Sequence, residues 1–408
     1  MRIFKLVTNH RTFSILLATI VLMEIAHGIE LIALFPLYLS GTMREGADLI
    51  GITLSTYLVA DILTRTPAGW AADRWARKPV LLVGILLSAL PLLLMPRVES
   101  PALFLALNAV NGIGAGCTWP AIYAAVADAY GRERYGLVLG IINMVMLGGI
   151  ALGPIAGGFL LSRETYDAAF TSCFLIVALA FFLVVAFVRE QGAARRRATV
   201  PAESLPWRML AEQMNATLRR LLVIGLLLTL AIGLMLPLIS LFGRDVLHLA
   251  PDQFALLLIP PGVVTAALII PAGHWADRRG RYTPLIVGLF LIAIPFAGAP
   301  LSLDPIIVSL GATLAGIGYA LLVPAWNALV MDWVPENARG LFLGAVATAQ
   351  GIGLAVGPSL GGALWERVGV YAPFEAAALF VGGAVVLTLW DARAAQQAVD
   401  RRSDAESA

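Results

Sequence analysis

Several ionisable side chains stand inside stretches that are otherwise almost wholly apolar. The run "MEIAHGIE" places Glu24, His27 and Glu30 at steps of three, a stripe down one side of a helix. Asp61 and Arg65 are four apart and can pair within one turn. A carboxyl held away from water can take up and release a proton as its surroundings change, because burial penalises its charge. Glu24, Glu30 and Asp61 are therefore the candidates for carrying a proton or another cation. Glu24 lies about midway along its apolar run and is the first choice. Glu30 is nearer the outer mouth, where water could reach it, and Asp61 with Arg65 also reads as a structural pair. His27 reads as a hydrogen-bonding helper, since His27 and Glu30 alone are too few to hold a metal. No Ser/His/Asp set, metal cluster or phosphate-binding loop is present, so neither an enzyme nor a cofactor is expected.

A second group could line a ligand cavity. Asn108, Asn111, Ala115, Trp119 and Tyr123 follow helical spacing, and so do Tyr319, Trp326 and Asn327. A wall of amides and aromatics suits a mostly apolar or amphipathic organic ligand. Each aromatic taken singly could equally be helix packing or an interfacial anchor.

These residues need elements to hold them, and the composition says which. Hydrophobic residues make up 59% of the 408 and charged residues 13%, about half the charge of a soluble domain. Mean hydropathy is +0.85. Such a chain must use lipid as part of its solvent. Apolar runs of 18 or more residues, long enough to cross about 30 Å of hydrocarbon, are predicted near 13–39, 48–70, 79–96, 102–127, 136–161, 168–188, 221–242, 253–273, 283–301, 305–331, 340–363 and 372–390. The first lacks a small-residue cleavage site and reads as an uncleaved helix. Cys117 and Cys173 lie within such runs and read as small buried hydrophobes. With the N-terminus inside, 22 of the 28 Lys and Arg fall in cytoplasmic segments. The other face has five, Arg44, Arg97, Arg163, Arg244 and Arg367, and Arg65 lies within a span. That bias predicts a multi-pass protein of the cell membrane (the inner membrane in a Gram-negative cell) with both termini cytoplasmic. The Arg195–Arg197 cluster reads as an orientation signal and a contact for anionic lipid. The net charge of +2 and the lack of a basic stripe give no footing for nucleic acid, and a monomer is expected.

The chain repeats itself. Pro67, Gly69, Asp73 and Arg74 match Pro271, Gly273, Asp277 and Arg278; Gly112, Gly114, Pro120 and Asp128 match Gly316, Gly318, Pro324 and Asp332, all 204 residues on. The expected organisation is a six-helix bundle over 1–188, a cytoplasmic linker over 189–220, a second bundle over 221–390 and a solvated, disordered tail over 391–408.

The loop after the second span reads "GWAADRWARK", with Gly69, Asp73, Arg74 and Arg77, and its copy keeps Gly273, Asp277, Arg278, Gly280 and Arg281. The chemistry is legible: Gly69 permits close helix contact, Asp73 can face a helix N-terminus, and Asp128 is a plausible ion-pair partner for Arg77. The fifth span carries Gly140, Gly149, Gly153, Pro154, Gly157 and Gly158. Glycines four apart make a smooth face, and Pro154 favours a bend. The eleventh span repeats this as Gly344, Gly353, Gly357, Pro358, Gly361 and Gly362.

On these motifs and the six-plus-six repeat, the chain resembles transporters of the major facilitator superfamily, closest to the drug–proton antiporters. The resemblance implies an all-α integral membrane fold of twelve helices, with a substrate site between the halves. It also implies a conformational latch at Gly69, Asp73, Arg74, Arg77 and Asp128 with Asp277 and Arg278 in the second copy, and a link between the fifth-span glycines and antiport. Two departures matter. Ala76 stands where the signature loop usually has glycine, which implies a stiffer loop. Asn108 stands where drug–proton antiporters usually carry an arginine. The function implied is export of small organic or amphipathic compounds in exchange for protons, with uptake of a sugar, organic acid or lipid-like solute as the alternative. Because the glycine motif occurs in both halves, symmetric packing is an alternative to an antiport role.

Overall fold

A computed structural model describes residues 11–188, 214–335 and 339–407, and those residues contain helices and no strand. The Arg195–Arg197 cluster lies outside them, and so does the side chain of Asp128. Among the described residues, twelve helices are long and apolar enough to cross a membrane. They are α1 (Phe13–Gly41), α2 (Ala47–Arg74), α3 (Arg77–Arg97), α4 (Pro101–Val126), α5 (Gly140–Arg163), α6 (Tyr166–Phe187), α7 (Ala216–Met235), α8 (Pro251–Arg278), α9 (Tyr282–Leu301), α10 (Pro305–Trp333), α11 (Leu341–Arg367) and α12 (Ala372–Ala394). Helices are the physical answer here, because lipid offers no partner to an unpaired backbone group.

The helix starts follow local chemistry. Pro101, Pro251 and Pro305 open α4, α8 and α10, where a missing N–H loses no helical bond. Thr165 caps α6 by accepting from the Ala168 N–H at 3.3 Å, and Asp304 caps α10 by accepting from Ile306 N–H at 2.7 Å. Two stretches depart from expectation. The backbone stays helical through 127–139, where a loop between α4 and α5 was expected. The tail expected to be disordered is helical to Ser407. Its run of Ala, Arg, Gln and Glu consists largely of strong helix formers, so the helix that leaves the apolar run simply propagates.

The chain divides into two compact units, one within Met1–Thr199 and Leu236–Leu256, the other within Val200–Met235 and Leu257–Ala408. Residues Leu236–Leu256 pack with the first unit through two side-chain bonds. Ser240 Oγ donates to the Ile32 carbonyl, and Arg244 Nη1 donates to Ser40 Oγ at 2.6 Å.

Inside each unit, glycines set how closely helices approach. In the first, α1 lies on α5 through Gly28 and Gly153, where a Cβ on Gly28 would come within 2.8 Å of the Gly153 Cα. One turn away, a Cβ on Gly157 would sit 2.8 Å from Ala33 Cβ, and one on Gly149 would collide with Glu24 Cβ. The second unit repeats the contact: a Cβ on Gly357 would lie 2.6 Å from Gly233 Cα, with Gly353 against Leu226 and Thr229 and Gly361 against Leu234. The motif in α5 and its copy in α11 therefore carry out the same packing task. Pro154 and Pro358 both lie inside continuous helix. Gly140 and Gly344 have nothing within 4 Å of an added Cβ, so the first glycine of each motif makes no such contact.

Candidate functional site

The three candidate acids all lie in the first unit and all are buried: Glu24 is 4% exposed, Glu30 1% and Asp61 4%. Of the two alternatives open for Glu30, a wet residue at the mouth or a buried acid, the structure shows the buried one. From Ile29 to Leu34 the backbone of α1 widens into a π turn that contains Glu30, a local form that recurs at functional sites. There the Glu30 carboxyl turns into the bundle, where Asn111 Nδ2 donates to its Oε2 at 3.0 Å. Asn108, one turn earlier on α4, donates from Nδ2 to the Thr53 carbonyl of α2 at 2.7 Å. His27 meets the Tyr57 ring edge-on at 5.9 Å. Tyr57 lies within electrostatic reach of Glu24, Glu30, Asp61 and Arg65, which puts it at the middle of the group. Tyr57 and Thr53 were not singled out from sequence, although both sit at four-residue steps from Asp61.

The acids are not equivalent. Arg65 holds Asp61 bidentately, Nε to Oδ1 at 3.0 Å and Nη2 to Oδ2 at 2.7 Å. Glu24 feels the field of that pair, but among the described residues neither Glu24 nor Glu30 has a salt bridge. Four buried atoms of the cluster have no hydrogen-bond partner: His27 Nε2, Glu30 Oε1, Asn108 Oδ1 and Asn111 Oδ1. Three of the four are acceptors, and a protonated carboxyl is a donor.

The expected ligand wall is only partly assembled. Trp119 is buried at 6.1 Å from the Tyr123 ring, and Tyr123 Oη donates to Met146 Sδ at 3.4 Å, so this pair packs inside the first unit. In the second unit Tyr319 borders a cavity of about 260 Å³. Trp326 is buried, with its ring against Gly225, whereas Asn327 is exposed and is not among the residues lining that cavity.

The two signature loops differ. Asp277 pairs with Arg281 Nη1 at 2.8 Å, and Arg281 Nε also reaches Asp332 at 3.3 Å. That second bond is the repeat counterpart of the pair expected between Arg77 and Asp128. In the first loop Arg77 meets Asp73 at 3.5 Å, Asp73 is 72% exposed, and the Arg74 guanidinium lies over the Trp70 ring at 5.2 Å. Arg278 is exposed. Gly280 takes φ +88°, a left-handed conformation natural to glycine, whereas Ala76 takes φ −176°, ψ 155°. The alanine is accommodated by an extended path in place of the left-handed turn. Gly69 and Gly273 were expected at close helix contacts. A Cβ there would meet Pro120 and Pro324 at 3.6 and 3.7 Å, an ordinary distance, so neither glycine is sterically required.

One ion pair went unnoticed in the sequence. Asp391, assigned to the solvated tail, is 2% exposed and is bound by Arg220 at 2.5 Å, with the guanidinium 5.6 Å from the Trp390 ring. Asp391→Asn leaves a largely buried cation without its counter-ion. It is expected to remove roughly 3 kcal/mol of stability, read as a lower unfolding midpoint of the purified protein; an unchanged midpoint would show the pair to be dispensable.

Comparison with known proteins bears on the whole chain. The family model described as Major Facilitator Superfamily matches residues 13–262 and 221–407. The proton-coupled antiporter flippase LtaA of Staphylococcus aureus is 22% identical over 364 residues, 88% of this chain and 89% of that one. Among solved structures, the nucleoside transporter NupG superposes with a TM-score of 0.73 at 16% identity, over 93% of this chain and 98% of its own. The inward-open xylose transporter XylE of E. coli does so at 0.71 and 14%, over 93% and 96%.

Proposed function

The chain belongs to the Major Facilitator Superfamily, a family of transporters, and we propose that it exports small organic or amphipathic compounds across the cell membrane in exchange for protons. The observation that carries this reading is a pair of carboxyls, Glu24 and Glu30, buried inside a membrane-spanning bundle with no cation paired to either. Uncompensated charge at that depth is costly, by about 2.5–3.5 kcal/mol on insertion scales, and protonation removes it. Glu24 is the principal coupling group in this proposal. It lies against the α5 glycine Gly149 and feels the Asp61–Arg65 pair, so its state is tied to the packing of α1 on α5 and to the field from α2. The proton enters from outside, the neutral carrier changes its access, and the proton leaves to the cytoplasm while substrate moves the other way. The Staphylococcus aureus relative, a proton-coupled antiporter flippase, supports proton exchange.

The test is flux in proteoliposomes with an imposed pH gradient. The parent protein is expected to concentrate an amphipathic cation or neutral amphiphile against its gradient, and to stop when the pH gradient is collapsed. A parent indifferent to pH would sink the proton half of the reading. Asn108 is the specific observation on the other side: where an arginine is usual it holds the Thr53 carbonyl, which favours an uptake symporter or uniporter. Accumulation by intact cells in place of efflux would establish that second reading.

The loop pairs form the proposed latch, facing the cytoplasm with both termini. Asp73→Asn is expected to slow transport while leaving expression intact, because it biases one of two states and removes no folding contact. Asp277→Asn should slow it more, since Arg281 holds Asp277 at 2.8 Å and also reaches Asp332, whereas Arg77 meets Asp73 only at 3.5 Å. Normal flux in both variants would make these loops structural only.

A further inference from the structure

The two units are copies of one scaffold, and what each copy places in its interior can be compared position by position. A Cβ on Gly112 would strike the Tyr57 carbonyl, and one on Gly316 would lie 3.0 Å from the Pro261 carbonyl, so α2 and α4 correspond to α8 and α10 with a shift of 204. Gly84 against Gly114 and Gly288 against Gly318 give the same shift for α3 and α9. Between α1 and α7 the shift is 205, because Gly28 on Gly153 corresponds to Gly233 on Gly357.

With that register, part of the first unit's polar interior maps onto the cavity of the second, although Glu24 and Glu30 correspond to Thr229 and Met235 outside its lining. His27 corresponds to Ile232, Asp61 to Thr265, Ser88 to Ile292 and Asn111 to Ala315, and all four counterparts line the cavity of about 260 Å³. Thr265 Oγ1 is already used, donating to the Pro261 carbonyl at 2.7 Å. Phe296 and Tyr319 complete the wall, so its surface is hydrocarbon apart from one phenol. The gap has a plain origin. In the first unit Asn111 reaches across to Glu30; in the second an alanine at the equivalent place reaches nothing. An apolar void is a poor home for water, and one of about 150 Å³ already takes benzene.

We propose that the interior cavity of the second unit is the binding site for an alkyl chain, the hydrocarbon end of an amphipathic substrate. Its assignment to substrate rests on the export reading above; its preference for hydrocarbon does not. An acyl chain of bilayer lipid has the same chemistry, so the test separates the two sources. Purified protein in lipid nanodiscs is irradiated with a single-chain dodecyl amphiphile bearing a diazirine on the chain, or with a phosphatidylcholine bearing the same group, and the labelled peptides are mapped. The single-chain probe is expected to label Ile292, Phe296 and Tyr319, and excess unlabelled dodecyl amphiphile to suppress that labelling at least fivefold. The phospholipid is expected to label exposed positions such as Leu310 and Leu379 and to spare the cavity. Ala315→Leu, which fills the cavity, should lower cavity labelling to the same degree with an unchanged unfolding midpoint. Equal labelling of the cavity by both probes assigns it to lipid and overturns the proposal, as does a parent cavity that neither probe labels. Cavity labelling without pH-driven flux would defeat the antiport reading and leave this site standing; pH-driven flux with an unlabelled cavity would do the reverse.

Discussion

Glu24→Gln protein in proteoliposomes is expected to equilibrate substrate across the membrane without concentrating it. Glutamine keeps the shape and hydrogen-bonding capacity of the protonated acid but has no proton to release. The variant should therefore bind substrate and change access as a permanently neutral carrier. At one-for-one exchange, a gradient of one pH unit stores about 1.36 kcal/mol and sustains about a tenfold substrate gradient. The parent should approach that ratio and Glu24→Gln should stay near unity. Glu30→Gln tests the rank of the two acids. Glu30 has Asn111 as a partner, and a glutamine there can still bond an amide, so a smaller or pH-shifted defect is expected. If Glu24→Gln concentrates substrate like the parent while Glu30→Gln does not, the π turn of α1 holds the coupling group and the ranking is reversed.

A valine at Gly153 should prevent the first unit from forming. The added Cβ would collide with the backbone of Gly28 and come within 2.6 Å of its carbonyl carbon and 2.9 Å of Ile29 N. Backbone cannot swing aside as a side-chain tip can, so α1 must move off α5. Overpacking of this kind typically destabilises by about 1–3 kcal/mol and occasionally more, and here it falls in the middle of the contact that runs from Glu24 to Ala33. Gly357→Val should do the same to α7 and α11, where the Gly233 Cα is 2.6 Å away. Gly140→Ala is the matched control from the same motif, with nothing within 4 Å, and should behave as the parent. The measurement is the yield of monodisperse protein by size exclusion and its unfolding midpoint. A well-folded Gly153→Val protein would refute the packing role. Gly149→Ala should disturb both: its Cβ would collide with Glu24 Cβ, which is fixed to the α1 backbone, so α1 must move and carry Glu24 with it.

The membrane class and the number of spans were legible because lipid imposes a simple demand, about twenty apolar residues in a row with every backbone group bonded internally. The duplication was legible because Gly, Pro and Asp tolerate few substitutes in a packed helix and so keep register 204 residues apart. The same marks failed between α1 and α7. The pair Gly28 and Gly233 is 205 apart, and the frame became visible only when both were seen against Gly153 and Gly357. Ala76 showed that the loops differ; its extended φ of −176° beside +88° at Gly280 showed how.

By itself the sequence determined which groups are available inside the membrane, three acids and a histidine in the first half. Composition and helical periodicity decide that much, since both are local properties of the chain. Only the tertiary structure decided what each group meets. Glu30 finds Asn111 across 81 residues, Asp391 finds Arg220 across 171, and the residues around the second-unit cavity come from five different helices. Hydrogen bonds and voids depend on ångström-scale distances between helices, and those distances are set by where glycines let the helices touch.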